Sequence, residues 1–444
     1  MRFSKLARLL LCVGFVSPVP AWAQGVKVLA NDHPDPEKVL RYAFEVAETS
    51  FDPQKVSDVY STIANNAMFD TPLCYDQLAR PAKLIPNTLA AMPEVSADYR
   101  TFTLRVRPGI YFDNHVAFAG KKRELTAVDD VFTIKRLFDP RLSAPQLSEV
   151  EGYIVGSEEF LARIRNSGKM DYDTPIEGLK VIDRYTFQIK LNEPKPNWIY
   201  NFADCRVSCA VAREVAEKYG DDIGSNPVGT GAYRLKSWKR SSKMVFEPNP
   251  NYREEYYAAE PTADDSEGKA ILAKLKGRRV PMIGRIEVSV IEERQPRWIS
   301  FINKEFDVLW RMPEDVAQQA VPNRQLAPNL VKQGIRAELV PALDLAFLYF
   351  NMKDPIVGGY TPEKVALRRA ISLPIARRMK SILCKRVWQY WRIRHTALAL
   401  PDTMPIFVPV PANTIPPKRK RCLTCTATLI AMAMATVKCR MARR

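Results

Sequence analysis

Regular hydrophobic periodicity runs from Leu40 to Leu373 and stops at the Leu373–Pro374 bond, and that break bounds what this chain can fold into. Before it, segments alternate or repeat at helical spacing and carry mixed charge. From Pro374 to Arg444 there are fifteen Lys or Arg against one acid, Asp402, so this tail holds fourteen of the seventeen net positive charges. Arg2, Lys5 and Arg8 supply the other three, and the body between is neutral overall. A protein built to hold phosphates places its basic excess on the folded part. The net charge therefore points to no nucleic-acid partner for the body.

The same three basic residues precede an apolar run, Leu9 to Val16, and Ala21-Trp22-Ala23 follows before Gln24. This is the pattern of a secretory signal peptide over residues 1–23, with cleavage expected after Ala23. The run is too short for a stable bilayer span. Cys12 follows Leu11 rather than a small residue, which argues against lipidation.

Export permits disulfides, so the body's cysteines matter. They are Cys74, Cys205 and Cys209. The last two, in Asp204-Cys-Arg-Val-Ser-Cys209, are read as one local disulfide or two buried thiols. Cys422-x-x-Cys425 in the tail has the spacing of a metal or redox pair, but no second pair or neighbouring His accompanies it, and no metal is assigned.

Leu40–Val46, Thr101–Val106 and Tyr185–Leu191 read as half-buried strands. Val56, Val59, Tyr60, Ile63 and Ala64 repeat at helical spacing. Thr126-Ala-Val-Asp129 resembles a capping box that opens a helix running toward Asp139-Pro140. Residues 254–281 turn polar and read as a surface insertion or linker. Beyond it, Ile286–Ile291, Phe306–Trp310 and Leu345–Asn351 read as strands and Trp298–Ile302 as a helix. Strands and helices intermingle, so the class is α/β or α+β.

Catalytic signals are poor. The histidines are His33, His115 and His395, with no Gly-x-Ser-x-Gly turn and no His-Glu-x-x-His helix. Gly229-Thr-Gly231 lacks a dinucleotide loop's third glycine and reads as a tight turn entering a strand at Ala232–Leu235. No catalytic residue, cofactor or metal is assigned, and the chain is not read as an enzyme.

Asn226-Pro-Val-Gly-Thr-Gly-Ala-Tyr-Arg-Leu-Lys-Ser-Trp-Lys239, continuing to Phe246-Glu-Pro-Asn-Pro-Asn-Tyr252, resembles the core motif of the family 5 extracellular solute-binding proteins of bacterial ABC importers, the oligopeptide, dipeptide and nickel-binding group. Five further stretches are similar to that family and fall in its order. They are Ser50-Phe-Asp-Pro53, Arg100–Phe112, Leu125–Leu137, and Phe350–Pro355 with Val365–Leu373. The resemblance covers Leu40 to Leu373.

In that family the helix ending at Leu373 continues with something like Ala-Tyr-Asp. A shifted reading frame through the tail permits Ala-Tyr at the break and, from Asn413 onward, Tyr-Asp-Pro-Ala-Lys-Ala-Lys-Ala-Leu-Leu-Asp-Leu-Tyr-Gly-Tyr, which resembles a later family segment. Residues 374–444 are therefore expected to be out of frame and disordered, with the second lobe incomplete and the product as given unable to bind. A solvated basic tail and a polyanion-binding arm are the competing readings.

The resemblance implies an α/β, two-lobed clamp of the type II periplasmic-binding-protein class with a discontinuous first lobe. That lobe is expected over 24–290, with a subdomain at about 66–180, and the second lobe is expected to start over 291–373. It implies a periplasmic monomer that captures a peptide or other small solute by lobe closure and delivers it to ABC permease subunits in the inner membrane. It places Ser57, Gln146, Ser148 and Asn351 as ligand-binding candidates, each with helix capping or plain surface as the alternative. Trp298 and Trp310 read as core or interlobe packing. A secreted hydrolase and a polyanion or nucleic-acid binder acting through the tail stay open as other functions.

Overall fold

Two four-stranded sheets carry the first part of the chain, which in this computed structural model is described over residues 34–337 and 349–373. The strands are β1 (Asp35–Phe44), β2 (Leu73–Tyr75), β3 (Leu84–Pro86), β4 (Glu94–Val95), β5 (Thr101–Arg105), β6 (Leu179–Val181), β7 (Thr186–Lys190), β8 (Tyr233–Lys239), β9 (Lys243–Pro248), β10 (Glu255–Tyr256), β11 (Arg279–Val280) and β12 (Ile283–Val290). Between them lie α1 (Val59–Met68), α2 (Ala127–Arg136), α3 (Ser157–Ser167), α4 (Cys205–Ser208), α5 (Arg213–Tyr219) and α6 (Ser266–Leu275), and α7 (Arg294–Ile302) follows. The expected signal peptide, the tail from Pro374 and most of the expected strand Leu345–Asn351 lie outside the described residues.

The second sheet, ordered β4-β5-β7-β6, shows how its sequence makes it. Phe102 and Leu104 alternate with Thr101, Thr103 and Arg105, and register pairs Phe102 with Ile189 and Leu104 with Phe187. Those four side chains share one face and are buried. Trp198 and Phe202 pack onto Phe102 with ring centroids 5.7 and 6.1 Å away. Each such aromatic or aliphatic side chain contributes roughly 1.5–3 kcal/mol on full burial.

The first sheet is ordered β1-β12-β9-β8. Here β1 and β12 run parallel, with Tyr42 opposite Val288 and Phe44 opposite Val290, while the other pairs are antiparallel. Chain after β12 stays with this sheet: Ile291 N donates to Phe44 O at 2.9 Å, and Asp307 N donates to Arg41 O at 3.0 Å. The expected strand Phe306–Trp310 is reduced to a single parallel bridge, Val308 with Tyr42.

Local chemistry decides several element ends. Asp58 accepts from Ser61 N at 2.7 Å, so α1 starts at Val59 and leaves buried Val56 ahead of it. The capping box at Thr126 forms, with Thr126 N donating to Asp129 Oδ2 at 2.8 Å, but α2 ends at Arg136, short of Asp139. The segment 254–281 is no linker: β10 pairs antiparallel with β11 and encloses α6. Cys205 and Cys209 form a disulfide across α4, settling the alternative left open by spacing.

Gly229 and Gly231 serve close approach. Gly231 N donates to Met68 O at 2.8 Å, at the end of α1. A Cβ at Gly229 would strike Met68 O and the Phe69 ring, and one at Gly231 would lie 2.5 Å from the Met68 carbonyl carbon. Neither glycine has a positive φ, so space rather than turn conformation requires it.

The chain divides into two compact units at Pro313–Glu314. In the second, α8 (Glu314–Ala320), α9 (Pro328–Lys332) and a helix over 362–373 are described. The last contains the helix expected at Val365–Leu373, and Arg368 Nη1 holds the preceding turn through Val357 O at 2.5 Å and Gly359 O at 2.7 Å.

Candidate functional site

The carboxyl ends of parallel strands are where open α/β sheets hold ligands. In this chain those ends belong to β1 and β12, and the segments leaving them are 45–58 and 291–293. The first is pinned at several points. Thr49 N donates to Ser61 Oγ at 2.8 Å, Thr49 Oγ1 to Asp58 Oδ2 at 2.6 Å, and Phe51 N to Gly224 O at 3.0 Å. Burial raises the Asp58 carboxyl, but the hydrogen bonds from Ser61 and Thr49 outweigh it and hold the group below the usual carboxylate range. Ser57 therefore stands exposed at the entry to α1 on a rigid support, between exposed Lys55 and capping Asp58.

A few residues before Ser57 in the chain, Asp52 and Gln54 belong to a buried ionic network. Arg136 on α2 grips Asp52 with Nη1 to Oδ1 at 2.9 Å and Nη2 to Oδ2 at 2.7 Å, and also donates to Gln54 Oε1. Gln54 Nε2 donates to Cys209 O at 3.2 Å. Burial opposes the Arg136 charge, yet Asp52 more than restores it, and the guanidinium is held above its ordinary value. This network ties the Ser50–Pro53 motif to α2 and to the disulfide loop. Sequence reading missed it; the signal was a charged Arg136 on the apolar side of a helix.

Beside the same strand ends, Arg297 lies buried with Nη2 3.3 Å from Glu45 Oε1 and Nη1 donating to Ile291 O at 2.8 Å. Trp310 meets Tyr60 edge-on at 6.2 Å, and the Arg311 guanidinium sits 4.8 Å from its ring centroid. Trp310 is 44% exposed, which removes the core half of the expectation that it packs in the core or between lobes. Burial, aided by Tyr60 and Glu45, pushes the Tyr42 hydroxyl up to about 12, so it stays protonated as a donor.

Gln146 and Ser148 occupy the turn after α2. Gln146 is half-buried and precedes the single 3₁₀ turn Leu147–Glu149, while Ser148 is exposed within it. Trp198 Nε1 fixes this turn through Glu149 O at 3.0 Å. No hydrogen bond among the described residues joins Ser57 to Gln146 or Ser148. Asn351, in the second unit, is exposed and stabilises its own turn, its Oδ1 accepting from Lys353 N at 3.1 Å. Among the described residues no three His, Cys, Asp or Glu side chains converge as a metal site. The arrangement offers donors, acceptors and an aromatic face for holding a molecule.

The mixed α/β sheets with this crossover pattern match the fold of type II periplasmic binding proteins. The sequence pattern described as bacterial extracellular solute-binding proteins, family 5, middle region, matches residues 83–390. The chain belongs to that family, whose members bind solutes rather than catalyse reactions. The periplasmic oligopeptide-binding protein OppA of Salmonella typhimurium is 27% identical over 206 residues, 46% of this chain and 34% of that protein. Di/tripeptide-binding protein 2 of Pseudomonas aeruginosa is 29% identical over 223 residues, 48% of this chain and 38% of that one. The matched stretch thus spans little more than a third of either relative. Among solved structures, clavulanic acid biosynthesis oligopeptide binding protein 2 superposes with a TM-score of 0.51 at 18% identity, covering 65% of this chain and 47% of that one. A periplasmic oligopeptide-binding protein from Borrelia burgdorferi gives 0.50 at 20% identity, covering 64% and 49%. These two likenesses concern the fold.

Proposed function

We propose that this chain is the periplasmic solute-capturing component of an ABC importer, taking peptides or a similar small solute and passing them to permease subunits in the inner membrane. The observation that carries this reading is the family match over residues 83–390. The relatives' peptide-binding names support the ligand class, and the signal-peptide pattern of residues 1–23 supports export. With the reading frame restored, the protein acts as a monomer, without nucleic acid, and closes a first lobe over 24–290 against a second that starts within 291–373. Ser57, Gln146 and Ser148 contact ligand from the first lobe and Asn351 from the second. Closure is useful only if both faces contribute binding energy, because a ligand shifts an equilibrium by no more than its differential affinity.

The test is ligand-dependent stability. A ligand bound only by the native state adds about 2.7 kcal/mol at a hundred times its Kd. A panel of di-, tri- and longer peptides should raise the unfolding temperature of the frame-restored protein in a concentration-dependent way, and should leave the product as given unshifted. Absence of any shift, together with turnover of peptide or ester substrates, would replace this reading with a secreted hydrolase.

The reading frame of residues 374–444 is part of the same proposal. Resequencing the gene across the codons for Ser372 to Pro374 and onward past residue 390, where the family match ends, should reveal a family-like second lobe in the neighbouring frame. If the codons stand, the basic tail is genuine, and its deletion should remove any salt-dependent polyanion binding.

A further inference from the structure

Of the three histidines, only His115 lies among the described residues. It precedes the single 3₁₀ turn Val116–Phe118, half-buried, with Nδ1 3.2 Å from Ala117 N. A backbone N–H can only donate, so Nδ1 accepts and bears no proton. The ring proton therefore sits on Nε2, 3.1 Å from Tyr219 Oη at the end of α5. One neutral imidazole caps its own turn and latches that turn to α5. An imidazolium cannot do both, because its Nδ1–H would point at the Ala117 N–H.

The latched loop is a junction. Asp113 N donates to Gly229 O at 2.9 Å, and Asn251 Nδ2 donates to Phe112 O at 2.9 Å and to Asn114 Oδ1 at 2.8 Å. The charges facing His115 come from two elements. Asp113, on its own loop and 3.4 Å from Arg234, favours the cation; Lys218 on α5 opposes it. Elsewhere on α5, Glu214 is occupied by Arg123, 2.7 Å away, whose guanidinium also lies over the Phe112 ring. Burial first, and Lys218 second, hold the imidazole below its usual range.

We propose that His115 is an acid-sensitive latch: in mild acid a proton added at Nδ1 expels the Ala117 N–H, uncaps the 116–118 turn and releases it from Tyr219. In the unfolded chain a histidine titrates near 6.5, above the folded value here. The latch therefore contributes fully above about pH 6.5 and is lost as pH falls through the folded-state value.

Hydrogen exchange of the full chain between pH 7.5 and 5.0, corrected for intrinsic rates and read by mass spectrometry, tests this without any ligand. It is thus independent of the importer reading. Protection over 112–120 and 213–220 should fall about tenfold or more in acid, while β5 and β7 stay unchanged. His115→Asn, whose Oδ1 accepts the cap hydrogen bond at any pH, should keep protection flat. His115→Phe should lack it throughout, and if that variant folds poorly the Asn variant still decides. Flat protection in the parent, or the same acid loss in His115→Asn, would overturn the latch.

Discussion

Arg136 holds Asp52 in a two-pronged ion pair, at 2.9 and 2.7 Å, although the residues stand 84 positions apart and both are almost fully buried. A buried pair of this kind commits the fold, because neither charge can lose its partner without a large desolvation cost. Arg136→Met should therefore destabilise the protein by about 3–5 kcal/mol. Arg136→Met combined with Asp52→Leu should recover a substantial part of that. Urea unfolding of the single and double variants measures both, and an unaffected single variant would show the pair to be dispensable.

Close packing of Gly229 and Gly231 on the last turn of α1 makes a second prediction. Gly229→Ala must displace backbone at Met68, not a flexible side-chain tip. A loss of about 1–3 kcal/mol or more is expected for each alanine, against near neutrality if the glycines served only as a turn. Thermal denaturation of Gly229→Ala and Gly231→Ala separates the two.

Asp130 on α2 is buried with Oδ2 unpartnered among the described residues, and burial, with Asp129 adding, pushes its carboxyl well above the usual range. Unfolded, it titrates near 3.9. Its contribution is thus most favourable below that value and declines as pH rises toward the folded value. Asp130→Asn should be more stable than the parent at pH 7, by on the order of 1–3 kcal/mol, with the gain vanishing near pH 4. Equal stability of the two at pH 7 would count against a buried, reluctant carboxylate.

Cys74 carries a thiol that burial, with Glu255 and Asp70 adding, pushes up to about 11. Only thiolate attacks maleimides. At pH 8 its alkylation should run at least about a hundredfold slower than that of free cysteine, followed by peptide mapping so that other cysteines are scored apart. Rapid labelling would mean that the β2–β3 hairpin opens readily.

What could be read along the chain was whatever depends on near neighbours. The alternation Phe102-Leu104-Val106 marked β5, the Thr126 cap marked the start of α2, and Cys205 with Cys209 were close enough for a disulfide to be one of two readings. The ends of elements were harder. Val56 matches the helical spacing of α1 but lies ahead of the Asp58 cap, and the apolar alternation Phe306–Trp310 ends as one bridge because only Val308 meets Tyr42. The polar composition of 254–281 hid a helix, since α6 buries little beyond Gly268 and so leaves no strong apolar stripe. Of the candidate site, Ser57, Gln146, Ser148 and Asn351 came from family resemblance. Their exposure and the supports beneath them came from the fold.

The neutral body, the basic tail, the intermingled strands and helices and the ordered family motifs are all legible along the chain, because each rests on composition or on residues two to four positions apart. Tertiary structure alone decided that Arg136 meets Asp52, that Arg297 meets Glu45, that Met68 demands glycine at 229 and 231, and that His115 meets Tyr219. Those partners are far apart in the chain, and their energies appear only once water has been excluded between the elements that carry them.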